Sequence, residues 1–127
     1  MKETMIESPV SPGLSPSIRF PYDISFADSD TSPATVEKIE SYLAKLDRHY
    51  DRITDAKVFI RIPHNHGPKL FHIHIQLDVP GKRLAVSRDS EMDDSHAAIQ
   101  ASIKDAFAKI TRQLDDFVKQ RKDHKPN

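Results

Sequence analysis

The stretch Lys57–Arg88, KVFIRIPHNHGPKLFHIHIQLDVPGKRLAVSR, holds three strand-like runs separated by two turn signals, and its reading decides the fold. The middle run places Phe71, Ile73, Ile75 and Leu77 on one face and His72, His74, Gln76 and Asp78 on the other, because successive side chains of a strand point to opposite sides. In the run before it, Lys57 to Ile62, Val58, Ile60 and Ile62 face one way and Lys57, Phe59 and Arg61 the other. Pro63 and Gly67-Pro68 bracket the intervening loop, which holds His64, Asn65 and His66. After the middle run, Val79-Pro80-Gly81-Lys82 puts Pro and Gly at the central positions of a type II turn. A short strand, Arg83 to Arg88, follows, with Leu84 and Val86 inward. One face of this unit is apolar and packs. The other is rich in His and flanked by Lys57, Arg61, Lys69, Lys82, Arg83 and Arg88, a composition that suits an anionic surface such as nucleic acid.

Working outward, residues 1–18 carry Pro9, Pro12, Gly13 and Pro16 with little apolar periodicity, which predicts a flexible tail. A first strand is expected over Phe20 to Phe26, with Tyr22, Ile24 and Phe26 on one face. Ser32-Pro33 is a helix start: the Ser hydroxyl accepts an orphan backbone N–H, and Pro at the first helical position has none to lose. Val36, Ile39, Leu43, Leu46 and Tyr50 then form one apolar stripe, ending the helix near Tyr50. A second helix is expected from about residues 93–95 to Lys122, with Ile99, Ile103, Phe107, Ile110, Leu114 and Phe117 as its stripe. The acids Asp89, Glu91, Asp93 and Asp94 precede it and Lys119, Arg121 and Lys122 close it, matching the poles of the helix dipole. The order β-α-β-β-β-α gives an α+β fold: a four-stranded mixed sheet with two helices packed on one face, spanning residues 19–123, with 124–127 as a short C-terminal tail.

The chain has 127 residues, a single-domain length, and a formal net charge of zero. That zero conceals a segregation: residues 55–88 hold six bases and two acids, and residues 104–125 hold seven and four, against an acidic first 52 residues. No cysteine is present, which removes disulfides, thiolate chemistry and Cys-based zinc sites and fits a reducing compartment. No apolar run approaches the ~18 residues needed to cross a bilayer, and residues 1–18 lack a basic n-region followed by an apolar one, so a cytoplasmic protein is expected.

Ala44-Lys45-Leu46-Asp47-Arg48-His49-Tyr50-Asp51-Arg52-Ile53 resembles the AKLxxxxDRI signature of the ribosome hibernation-promoting and ribosome-associated inhibitor family. The likeness continues in order through Ile62-Pro63-His64-Asn65-His66, Leu70 to Gly81, and Ala97-Ala98-Ile99, covering about residues 20–122. The resemblance implies the same β-α-β-β-β-α fold and a non-enzymatic, cytosolic protein without cofactor. It would bind the small ribosomal subunit in its rRNA-lined decoding channel, over the mRNA and tRNA sites, and so stop translation under stress. It implies no membrane or DNA partner and a monomer off the ribosome. Such a plug needs Lys and Arg aimed at phosphates, with shape rather than base edges setting the fit. The candidates are Lys45, Arg48 and Arg52 on the first helix, Arg61, Lys82, Arg83 and Arg88 around the sheet, and Lys104, Arg112, Lys119 and Lys122 on the second helix, with His64, His66, His72 and His74 in the hairpin. At 100° per residue the four on the second helix fall within about 80° and form one ridge. Asp105, Asp115, Asp116 and Asp123 share that helix, where inhibitor-type members tend to be basic, and Asp115 sits inside the ridge.

Other chemistries are open. The two His-x-His pairs of the hairpin could supply imidazoles to a metal, yet no carboxylate or Cys is placed beside them. The acids at 89–94 lack the Gly and terminal Glu of a calcium loop and read better as helix-start chemistry. No Gly-x-Ser-x-Gly elbow is present, and three glycines do not make a phosphate-cradling loop. Phe59 on the open face could stack a base, or pack under the N-terminal tail or beside Tyr22. The competing function from another class is a protein-interaction module of the same fold, and a weaker one is a metal-binding protein built on the histidine hairpin.

Overall fold

Buried and more exposed side chains alternate through the middle of the sheet, so one sheet face is apolar. The computed structural model describes residues 18–27, 32–61, 69–92 and 96–123, with side chains described throughout except at 69–70, 90–92, 96–98 and 122–123. The elements follow the order β1 (Tyr22–Ala27), α1 (Pro33–His49), β2 (Asp55–Arg61), β3 (Lys69–Val79), β4 (Lys82–Met92) and α2 (His96–Asp123). The four strands lie side by side in sequence order; β1 and β2 are parallel and the other two pairs antiparallel. This is the α+β, β-α-β-β-β-α architecture expected from the sequence. The crossover through α1 makes the parallel pair, and the tight turns make the antiparallel ones.

Tyr22, Ile24, Ala56, Val58, Ile60, Phe71, Ile73, Ile75, Leu77, Leu84 and Val86 form the inner face of the sheet, all buried. Onto it α1 lays Val36, Ile39, Leu43 and Leu46, and α2 lays Ile103, Ala106, Phe107, Ile110, Leu114 and Phe117. Ile18 and Phe20, just ahead of β1, are also buried in this core.

The local signals act as expected. Ser32 Oγ accepts from the Thr35 N–H at 3.2 Å, and Pro33 opens the helix. Arg48 and His49 occupy the last turn of α1, where cations suit the dipole. Gly81 adopts φ +83°, the positive angle a type II turn needs at its second central residue, and registers Val79 against Lys82. Strand boundaries differ by one or two residues except at the end of β4. β4 continues through Asp89 to Met92, where the acids suggested a helix approach, because the eleven residues of β3 offer pairing partners out to Lys69. Of the tail expected over residues 1–18, Ile18 is packed in the core, while residues 1–17, the loop bearing His64 and His66, and Asp93 and Asp94 lie outside the described residues.

Candidate nucleic-acid interface

Two surfaces carry the candidate residues. The outer sheet face presents Asp23 and Ser25 from β1, Asp55, Lys57, Phe59 and Arg61 from β2, His72, His74, Gln76 and Asp78 from β3, and Arg83, Ala85, Ser87 and Asp89 from β4. Register sets the neighbours on this face: three pairs between β3 and β4 are complementary, whereas between β2 and β3 Asp55 faces Asp78 and Arg61 faces His72. His72 faces Asp89 and its Nδ1 meets Oδ1 at 2.6 Å; His74 faces Ser87, with Nδ1 and Oγ 2.5 Å apart. Arg83 faces Asp78 and donates from Nε at 2.8 Å. That hydrogen bond, and then the attraction of the Asp78 charge, raise the Arg83 pKa further above its ordinary value. Phe59 lies half-buried on the same face, edge-on to the His72 ring at 6.0 Å, with the Arg61 guanidinium 5.9 Å from its centroid.

Arg88 shares the parity of Leu84 and Val86, so it points to the helix side. There its Nη1 meets Asp105 Oδ2 of α2 at 2.7 Å, and Lys109 stands 3.8 Å from the same oxygen. Arg19 is held in a comparable way: its backbone N–H and its Nε donate to the buried Asp47 carboxylate of α1 at 2.8 and 3.1 Å. The bond to Asp47, then its charge, raise the Arg19 pKa.

The helical face is arranged otherwise. Lys38, Lys45 and Arg48 of α1 and Lys104, Arg112 and Lys119 of α2 are exposed. Where the helices face each other, the Tyr42 ring stacks on Phe107 with centroids 4.9 Å apart and planes 19° apart. Lys38 Nζ and Lys45 Nζ sit 5.6 and 5.7 Å from the Tyr42 centroid, within reach of its electron-rich face. Beside this stack a hollow of about 200 Å³ is lined by Tyr42, Lys45, Lys104, Phe107, Ala108 and Thr111. It adjoins one of about 360 Å³ lined by Lys38, Tyr42, Lys45, Gln100, Ala101 and Lys104. No carboxylate lines either hollow among the described residues. Asp115, the acid inside the α2 ridge, is engaged by Nε2 of His49 at the end of α1.

The candidates therefore divide by place. Lys45 and Lys104 converge from two helices, and Arg112 and Lys119 continue along α2. Arg61, His72 and His74 lie on the opposite side of the domain, and Arg88 is turned towards α2. Arg52 is exposed in the turn after α1. Lys82 and Arg83 border a hollow of about 300 Å³ beside Gln113, Asp116 and Phe117, where Arg121 of α2 donates to the Pro80 carbonyl of the turn at 3.2 Å. His64 and His66 are outside the described residues, as is the side chain of Lys122. Sequence reasoning missed Lys38 and Tyr42. Their signal is the i, i+4, i+7 spacing of 38, 42 and 45, which sets all three along one edge of the α1 stripe.

Among the described residues no group of three or more His, Cys, Asp or Glu could hold a metal ion, and no helix is long and apolar enough to cross a membrane. The chain is 29% identical over 110 residues to the ribosome hibernation promotion factor of Deinococcus radiodurans, an alignment covering 83% of this chain and 54% of that protein. It thus spans about half the length of the curated relative it matches. In structure it resembles a ribosomal subunit interface protein from Coxiella burnetii, with a TM-score of 0.56 at 20% identity, covering 76% of this chain and 94% of the other. That likeness confirms the fold. Residues 22–122, nearly the whole described domain, match the family described as sigma 54 modulation protein / S30EA ribosomal protein, and the chain belongs to that family.

Proposed function

We propose that this chain is a non-enzymatic factor that binds the small ribosomal subunit through its rRNA, occupies the decoding channel and represses translation under stress, acting as a monomer off the ribosome. The observation that carries the reading is the helical face: Lys38, Lys45, Arg48, Lys104, Arg112 and Lys119 are exposed there, and no ion pair of theirs occurs among the described residues. Exposed cations that are not engaged in ion pairs are what a phosphate-lined channel recruits, because each phosphate neutralised releases a condensed counterion. Family membership supplies the second support, since relatives of this fold carry ribosomal names. No reacting group is needed. A domain whose core is fixed by a full sheet and two helices can block by occupancy, with rigid shape setting the fit to folded RNA.

The test is co-sedimentation of the full chain with isolated small subunits across a salt series, alongside a translation assay. The expected result is stoichiometric binding that falls steeply with salt and halts translation in proportion to occupancy. Binding indifferent to salt would point instead to an apolar protein interface.

A further inference from the structure

We propose that the hollow between α1 and α2 is a receptor for one unstacked nucleotide of single-stranded RNA, with its base against Tyr42 and its phosphates held by Lys38, Lys45 and Lys104. The inference rests on the RNA-binding reading above and names what that surface grips.

Three facts converge. First, three ammonium groups from two helices border adjoining hollows that share Tyr42, Lys45 and Lys104, and no carboxylate lines them among the described residues. Like charges gathered in this way repel, and an anion relieves the repulsion. Some cations elsewhere are paired with acids: Arg19 has Asp47, Arg83 has Asp78, and Arg88 and Lys109 have Asp105. Second, the floor is aromatic. Tyr42 is braced by its stack on buried Phe107, so the ring is held in one orientation and offers a platform rather than a mobile side chain. A hollow of about 200 Å³ has room for far more than a water, whose share of the liquid is ~30 Å³. Third, the cations continue beyond the hollow. From Lys104 to Arg112 and on to Lys119 the α2 axis advances by ~12 Å and then ~10 Å, a run of positive charge that matches an extended polyanion better than a single small metabolite.

An aromatic floor with a cationic rim is the arrangement by which proteins hold unpaired bases: stacking is tolerant of sequence and the rim tracks the backbone. The separation of roles gives distinct signatures. Loss of the ring removes stacking and leaves the charge count alone. Loss of a lysine removes one released counterion.

The experiment is fluorescence anisotropy of a labelled single-stranded RNA hexamer with the full chain, between low and moderate salt, for the parent, Tyr42→Leu, Tyr42→Phe and Lys104→Ala. Tyr42→Leu is expected to weaken binding by ~5- to 100-fold with an unchanged salt slope, and Tyr42→Phe to keep parental affinity. Lys104→Ala is expected to lower the slope of log K against log salt by ~0.7. Circular dichroism melts establish that the variants are folded; if Tyr42→Leu is not, Lys38→Ala with its slope change takes its place. If Tyr42→Leu binds as the parent does while Arg112→Ala and Lys119→Ala weaken, the nucleotide receptor is wrong and the ridge reading stands. If the parent binds neither the hexamer nor small subunits, both fall together. Uridine monophosphate binding as tightly as the hexamer, or an acidic aromatic peptide displacing it, would also overturn the proposal.

Discussion

On the outer sheet face, two imidazoles and one guanidinium meet complementary groups one strand away: His72 with Asp89, His74 with Ser87, Arg83 with Asp78. On the helical face Lys38, Lys45 and Lys104 gather around one aromatic ring with no acid lining the space among the described residues. The difference follows from geometry. Directly opposite residues in a sheet are held ~5 Å apart by backbone pairing, so a charge on a strand meets a fixed neighbour, and between β3 and β4 that neighbour is complementary at His72, His74 and Arg83. Two helices bring their side chains together only through tertiary packing, and nothing in the backbone enforces complementarity. The β3–β4 part of the sheet face is matched at short range, whereas the helical face keeps charge available for a partner. A zero net charge is therefore compatible with a strongly directional surface.

The largest expected effect comes from removing what supports the helical face. Phe107, 2% exposed, lies under Tyr42 and in the core at once. Phe107→Ala should destabilise the domain by about 3–5 kcal/mol in a denaturant titration. A loss below about 1 kcal/mol would mean that the face is built over a slack core. On the sheet side, Gly81→Ala tests the turn that sets the β3–β4 register. A Cβ there meets nothing within 4 Å, so the penalty is conformational, from φ +83°. We expect a loss of about 1–2 kcal/mol, a fall in melting temperature and no change in ribosome affinity. Smallest is Asp115→Asn, which removes the acid that His49 engages inside the ridge. Small-subunit affinity should rise by about two- to fivefold at low salt, and the gain should vanish at high salt as screening sets in.

Much of the fold was legible because it rests on periodicity. The alternation of Phe71 to Leu77 and the stripe of Ile39, Leu43 and Leu46 each point to one buried face, and the Ser32-Pro33 start and Pro80-Gly81 turn are local chemistry. The end of β4 was not legible, since Asp89 to Met92 has no apolar alternation and is strand only because β3 extends opposite it. The direction of Arg88 could be read from its parity with Val86; its partner Asp105 could not, being supplied by α2. The same limit hid the hollow. Tyr42 lies beside the α1 stripe, but its stack on Phe107 and the approach of Lys104 depend on how two helices lie across the sheet.

The most direct test sets two charge reversals of equal size against each other. Lys104→Glu with Arg112→Glu alters the helical face, and Lys57→Glu with Arg61→Glu alters the sheet face; both shift the net charge by the same amount, so only location differs. Affinity for isolated small subunits is measured by sedimentation at moderate salt. The helical pair should lose at least about tenfold and the sheet pair no more than about threefold. Loss confined to the sheet pair, with the helical pair binding as the parent does, would contradict the assignment of the ribosome-facing surface to the helices.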